Sequence, residues 1–348
     1  MQNPRWKHRP PGSNWGEFGP DDQRGRMNWV TREKVLQGVA EVKEGRTFVL
    51  SLPLDYPGGN GLNPRRHPPR LAATYRNGRQ NFAYEVRQDN PMQTDVVCDD
   101  VVLLTLQYST QWDSFAHVGG MFDADGDGKP EPVFYNGFRA GVDIKPVQEN
   151  PQAEAWAKYE GTRAEALGIQ NLAEHGVQGR GVMVDLHAHY GRKRHAVGYR
   201  DLQEILEKDE VKVEKGDIVC FHTGFAEMLL ELKRNPTPEA LHHTCTGLDG
   251  KDEKLLQWVT DSGAAVLAAD NYAVELFSTT PWKATSHAML PLHEHCLFKN
   301  GIHLGELWYL TPLAAWLREH RRNRFLLTAP PLRLPGAVGS PATPVATV

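Results

Sequence analysis

From residue 179 to residue 320 the chain alternates short apolar runs with amphipathic ones, and the apolar runs end in polar residues. "GRGVMVDLHAH" (179–189), "KGDIVCFHTGF" (215–225) and "AAVLAADNYAVE" (264–275) are too short for buried helices and read as strands. Between and beside them, "YRDLQEILEKDEV" (199–211), "AEMLLELKRN" (226–235), "DEKLLQWVTDSG" (252–263) and "TPLAAWLREH" (311–320) carry apolar residues at helical spacing. Helices interleaved with apolar strands give an α/β domain whose sheet is covered on both faces. In such a sheet the strand ends are where polar side chains gather into a site.

The flanks are less regular. Residues 1–30 are rich in Gly, Pro, Asp and Trp and read as an extended arm. The spacing predicts a helix over 31–45, with Thr31 as cap, Val35, Val39 and Val42 on the buried stripe, and Gly45 as its stop. "RTFVLSLPLD" (46–55) is a strand, and residues 56–95 are a long polar excursion. "DVVCDDVVLLTLQYSTQWD" (95–113) reads as one strand buried on both faces, "MFDADGDGKPEPVFYNG" (121–137) as a loop, and "AEAWAKYEGTRAEALG" (153–168) as a helix. The Pro-rich stretch 329–348 cannot be helical and reads as a tail, disordered or packed on a neighbouring subunit.

Composition narrows the function. A net charge of −4 gives no electrostatic case for nucleic acid or an anionic membrane. No run approaches about 18 apolar residues, and the first residues lack a signal-peptide core, so the expected location is the cytoplasm. Cys98, Cys220, Cys245 and Cys296 are widely spaced, which argues against a disulfide framework or a zinc ribbon. Cys98, Cys220 and Cys296 sit in apolar runs and read as small core residues.

Three stretches concentrate metal-binding side chains. In "QYSTQWDSFAH" (107–117) an extended backbone puts Gln107, Ser109, Gln111 and Asp113 on one face, and one turn more returns His117 to Asp113. In "PLHEHCLFKNGIHLGELW" (291–308), His293 and Glu306 flank a Gly turn, and His293 and His295 project together only from an extended segment. A carboxylate in an apolar strand needs a partner, and a divalent cation shared by Asp113 and His117 supplies one. In "VDLHAHYG" (184–191), His187 and His189 would share a strand face, and His222 ends the next strand as a pocket-lining group. "DADGDGKPEPVF" (123–134) begins like a calcium loop but has Phe134 where the bidentate Glu belongs, so it reads as a plain turn.

These motifs together resemble the cyclase family of metal-dependent hydrolases, which includes kynurenine formamidase, isatin hydrolase and trans-dienelactone hydrolase. The family's HxGTHxDxxxH falls on residues 107–117, with Asp113 and His117 matched and Gln107 and Gln111 in place of histidines. A longer branch is more similar, through "SNWGEFGPDDQRGRMN" (13–28), "SLPLD" (51–55), "GRGVMVD" (179–185) and the 291–308 stretch. The resemblance implies a swivelling β/β/α-type fold over a single domain, 31–328, assembled as a homodimer or homotetramer. It implies metal ligands Asp113, His117, His293 and Glu306, with Gln111 as a further ligand or water-orienting group. His295 stays open as the alternative to His293. Because two ligand histidines are replaced, it implies one divalent ion per subunit, zinc or manganese. The implied activity is hydrolysis of an amide, lactone or related cyclic carbonyl in a small molecule, with His117, Glu306 and His293 catalytic. Trp112, Phe115, His189 and His222 are the expected substrate-binding side chains. The alternative is a metal-binding module of the same fold without catalysis. A nucleophile elbow GxSxG and a phosphate-binding glycine motif are both absent, which removes serine-hydrolase and nucleotide-dependent readings.

Overall fold

A computed structural model describes residues 5–146, 161–277 and 286–348. Nine strands form one large curled sheet: β1 Thr47–Val49, β2 Gln111–Asp113, β3 Gln178–Asp185, β4 Ile218–His222, β5 Val266–Ala269, β6 His303–Glu306, β7 Arg324–Thr328, β8 Gly339–Pro341 and β9 Val345–Thr347. Their spatial order is β1-β9-β7-β3-β4-β5-β6-β2-β8. The central run β3-β4-β5-β6 is parallel, and antiparallel strands extend it on both sides. This is the mixed α/β fold anticipated from the alternation of apolar runs.

The central strands show why they read as continuous apolar runs. Val182 and Val184 of β3, Val219 and Phe221 of β4, and Leu267 and Ala269 of β5 enter one core. Met183, Ile218, Cys220, Val266 and Ala268, the alternate residues, enter a second core on the other face. The first core is closed by helices Tyr199–Lys208 and Glu253–Asp261, through Leu202, Ile205, Leu255 and Val259. The second is closed by helix Thr311–Glu319, through Leu313, Ala314 and Leu317. Both faces being covered, alternate side chains can all be apolar.

Several local expectations are corrected. The helix after Thr31 spans Arg32–Ala40, and Thr31 caps it by accepting from the Lys34 N–H. Its buried face carries Lys34 and Gly38, while Val39 is exposed. Lys34 reaches a buried ion pair with Asp217 at 3.0 Å, and a Cβ on Gly38 would come 2.8 Å from the Gly179 backbone. Close packing and a salt bridge, not a Val stripe, dock this helix. Residues 95–113 are not one strand: Asp100–Leu103 pairs with Arg70–Ala73 in an exposed ribbon, and only Gln111–Asp113 joins the large sheet. A hairpin, Gly120–Phe122 with Glu131–Val133, replaces the expected loop. The helix expected over 153–168 lies partly outside the described residues, and Arg163–Ala164 is a strand. The last twenty residues are not a loose tail, for they supply β8 and β9, with Ala346 and Val348 fully buried. Cys98 is exposed, whereas Cys220, Cys245 and Cys296 are buried.

Candidate metal centre

Glu306 ends parallel strand β6, and β2 runs antiparallel beside it. The register sets Glu306 opposite Gln111, and Leu304 opposite Asp113. Side chains two apart share a face, so Gln111, Asp113 and Glu306 all project to the side on which Leu304 enters the first core. His293 arrives from a different element, the short helix Pro291–His293 that continues into a π-helical turn, Glu294–Lys299. π-helical turns occur often at functional sites. One ligand atom each from Asp113, His293 and Glu306 lies within 4.8 Å of the others, and all three residues are buried. His293 Nε2 stands 3.1 Å from Glu306 Oε1 and 3.9 Å from Asp113 Oδ2.

The polar atoms left over fit a divalent cation. Among the described residues, both Asp113 oxygens and Gln111 Oε1 are buried without a hydrogen-bond partner. The Gln111 amide donates to Glu306 Oε2 at 3.0 Å, which fixes the oxygen as its free end. Unpaired buried carboxylate oxygens are costly, and two carboxylates, an imidazole and an amide oxygen are a donor set that zinc or manganese takes. Without an ion, burial and then the nearby Glu306 carboxylate push the Asp113 carboxyl up to about 8. Burial also works against the Glu306 charge, but the hydrogen bond and charge of His293 hold Glu306 below the usual carboxylate range. The pair therefore carries one proton, on the Asp113 side. Burial disfavours the His293 cation, yet hydrogen bonds to Glu275 and Glu306 raise it to about 10.

Glu275 was not singled out by sequence. It follows two non-glycine residues with left-handed backbone, Ala273 (φ 80°) and Val274 (φ 57°). A β-branched residue at positive φ is strained, and such strain collects at functional sites. The turn aims the Glu275 carboxylate at the start of the His293 helix, where it accepts the backbone N–H groups of Leu292 (3.1 Å) and His293 (3.0 Å), and meets His293 Nδ1 at 2.9 Å. Arg66 was also missed, because "NPRRHPPR" reads as a solvated basic cluster. It donates to the Gln107 carbonyl at 2.8 Å, lies over the Tyr272 ring, and its charge reaches Asp113, Glu306 and His117.

The other sequence candidates divide. His117 Nε2 lies 3.8 Å from Asp113 Oδ1, one turn on, outside the tight triad. Burial, then the His293 and Arg66 charges, lower it to about 4, so its ring is neutral. Gln107 falls in a turn before β2, and its amide lies against Gly339, the residue paired with Asp113. His295 turns away from His293, because the segment is helical rather than extended, and its Nε2 meets Thr260 and Asn300. His187 and His189 sit in a helical turn, not on a strand face, and His189 pairs with Asp209 at 2.9 Å. His222 lies on the opposite side of the sheet, between Asp185 (2.8 Å) and Thr311 (3.0 Å). Asp185, His187 and His222 make a second cluster of metal-ligand type, but both ring nitrogens of His222 are already hydrogen-bonded. Trp112 and Phe115 are core residues with no exposed surface. Trp112 packs on Trp308 and donates to the Ala329 carbonyl, while Phe115 stacks on His303. In the 123–134 turn, Asp123 accepts three backbone N–H groups, and Arg139 approaches Asp125 (3.6 Å) and Glu131 (2.9 Å).

The family model described as Putative cyclase matches residues 50–276, nearly two thirds of the chain. The chain belongs to this cyclase family. The matched span takes in Gln111, Asp113, His117 and Glu275 and ends before His293 and Glu306. The crystal structure of a novel cyclase is similar over 97% of both chains, at 29% identity and a TM-score of 0.72. Isatin hydrolase A from Ralstonia solanacearum shares the fold at 13% identity and a TM-score of 0.54, over 91% of this chain and 97% of its own. Isatin hydrolase A from Labrenzia aggregata, bound to benzyl benzoate, shares it at 12% identity and 0.51, over 90% and 97%. No curated protein matches this chain. Among its described residues no helix is long and apolar enough to cross a membrane.

Proposed function

We propose that this chain is a metal-dependent hydrolase that uses water to cleave the acyl C–N or C–O bond of an amide, lactone or related cyclic small molecule. The observation that carries the reading is the triad Asp113, His293 and Glu306, drawn from three separate elements and left with unpaired oxygens on Asp113. These three residues hold one zinc or manganese ion per subunit, with Gln111 Oε1 as a further oxygen donor. The bound ion supplies Lewis acidity, polarising a carbonyl and bringing the pKa of water to about 7. His117, neutral and at the edge of the triad, accepts a proton at Nε2 from the attacking water and returns it to the leaving group. Arg66 adds positive charge beside the developing oxyanion. Two fold relatives are hydrolases by name, which supports this class of reaction.

The chain is further proposed to work as a homodimer or homotetramer. Leu71 and Val102 face each other on one side of the exposed ribbon, and Val101 and Leu103 lie on the other, all exposed. A two-stranded ribbon is not stable alone in water, so a second copy packed on it is the reading this surface supports.

Metal analysis joined to turnover tests the function. Purified protein is expected to hold about one equivalent of zinc or manganese, and a chelator should abolish hydrolysis across a panel of lactones, cyclic amides and formamides. Metal without turnover on any panel member moves the reading to a binding module, and metal-free protein with a normal fold defeats both.

A further inference from the structure

A cavity of about 290 Å³ lies against the outer side of Glu275, the residue that holds His293. Thr246 and Asn271 line it, and both are buried, at 0% and 2% exposure. Each carries a buried polar atom with no hydrogen-bond partner among the described residues, Thr246 Oγ1 and Asn271 Oδ1. The Asn271 amide nitrogen is engaged, donating to the carbonyls of Thr246 and Val274 at 3.3 Å each, so the oxygen is the end left over. The chain makes room for this arrangement: a Cβ on Gly247 would come 2.7 Å from the Asn271 amide nitrogen. Buried polar atoms are nearly always paired, and an unmade bond is the expensive case. A ligand supplying the missing partners removes that cost.

The charges at the cavity are unequal. Arg65 and Arg194 line it, and Arg194 uses one N–H on the Phe277 carbonyl. The acidic lining residue, Glu275, has its oxygens occupied by two backbone N–H groups and the His293 imidazole. The arginine donors without a partner among the described residues call for an anion, and a planar carboxylate matches a guanidinium. Asn271 Oδ1 calls for an N–H or O–H donor. Tyr272 and Phe277, stacked with centroids 5.8 Å apart, add an aromatic surface.

We propose that this cavity is the substrate-recognition pocket and selects a carboxylate-bearing substrate with an amide N–H or hydroxyl donor. The donor meets Asn271 Oδ1 and Thr246 Oγ1, and the carboxylate meets Arg194 and Arg65. The assignment of this ligand as substrate rests on the hydrolase reading; the binding chemistry does not.

Hippurate, which joins a ring, an amide N–H and a carboxylate, is a suitable probe, with its neutral methyl ester as control. Calorimetry on the metal-loaded protein should show hippurate binding at least about tenfold tighter than the ester, the worth of one charge-assisted contact. Arg194→Met should weaken hippurate by about tenfold and leave the ester unchanged, and Thr246→Val should weaken both ligands. Equal binding of acid and ester, no hippurate binding at about 10 mM, or full hippurate affinity in Arg194→Met overturns the pocket. Asp113→Asn separates the two readings, because it removes a proposed metal ligand and touches no cavity residue. If that variant loses metal and turnover yet binds hippurate as the wild type does, pocket and metal centre both stand. If the wild type carries no metal but still prefers hippurate, the pocket stands and the hydrolase reading falls.

Discussion

Glu275 takes His293 at two points, the backbone N–H at 3.0 Å and Nδ1 at 2.9 Å, so the imidazole presents Nε2 to Glu306 and Asp113. A carboxylate behind a ligating histidine fixes its tautomer and strengthens it as a donor. Glu275→Gln keeps the shape and an accepting oxygen but removes the charge. It should lower metal affinity by about 10–100-fold and also lower the unfolding midpoint of the metal-free protein, because the buried His293 cation loses the charge of a partner. Titration against a competing chelator measures this, and wild-type affinity in the variant would remove Glu275 from the centre.

Stability of the metal-free protein should peak near pH 6.5. Burial lowers the pKa of the fully buried His303 and the half-buried His117 and His295 to about 4, so between about 4 and 6.5 the unfolded chain binds more protons and stability rises with pH. Asp113 acts in the other direction: its raised pKa, about 8, lets the folded state keep a proton the unfolded chain has lost. The same holds for His293, raised to about 10, so its stabilisation is complete below 6.5 and is lost as pH climbs toward 10. Above 6.5 only Asp113 and His293 of this set contribute, and stability falls. Urea melts across pH 4 to 10 read the profile, and a curve that still rises from pH 7 to 9 contradicts the assignment. Asp113→Asn should flatten the limb between 6.5 and 8 and steepen the rise between 4 and 6.5, where Asp113 opposes the three histidines.

Much of this was legible in the sequence, and the failures have physical causes. The central strands declared themselves because a sheet covered on both faces needs uninterrupted apolar runs, as in "DIVCFH". The carboxylates of the candidate triad were legible as acidic side chains inside apolar strands, and their grouping with His293 came from the family resemblance. Register was not legible: whether Gln107 joined Gln111 depended on a turn at Thr105–Tyr108. His189 and His295 misled for one reason, since their spacing of two matches a strand while both segments are helical. Glu275 and Arg66 gave no periodic signal, because strained turns and irregular loops place them. The tail misled through its prolines, which tolerate strand edges, whereas "VATV" after the last of them is plain strand sequence.

Phe115 decides between a packing role and a substrate wall. It is fully buried against His303 at 3.9 Å and Tyr135 at 4.9 Å between ring centroids. Phe115→Ala should cost about 3–5 kcal/mol, as large-to-small changes in cores do. Denaturant unfolding measures this with the slope held constant. A loss under about 1 kcal/mol together with a raised KM would return Phe115 to the substrate site.

The C-terminal strands should prove necessary for the fold that carries the centre. β9 fills the place between β1 and β7, with Ala346 opposite both Phe48 and Leu327, and Ala346 has no exposed surface. β8 covers the outer edge of β2, setting Gly339 opposite Asp113 and so bracing the strand that presents two of the proposed donors. Ala346→Asp puts a carboxylate where neither water nor a partner reaches it, at a cost of several kcal/mol. Thr347→Asp, one residue on and pointing to the partly exposed face, should cost under about 1 kcal/mol. Thermal melts of the two variants side by side give the test. If Ala346→Asp melts with the wild type, the strand does not sit in the sheet as described, and a disordered tail becomes the better account.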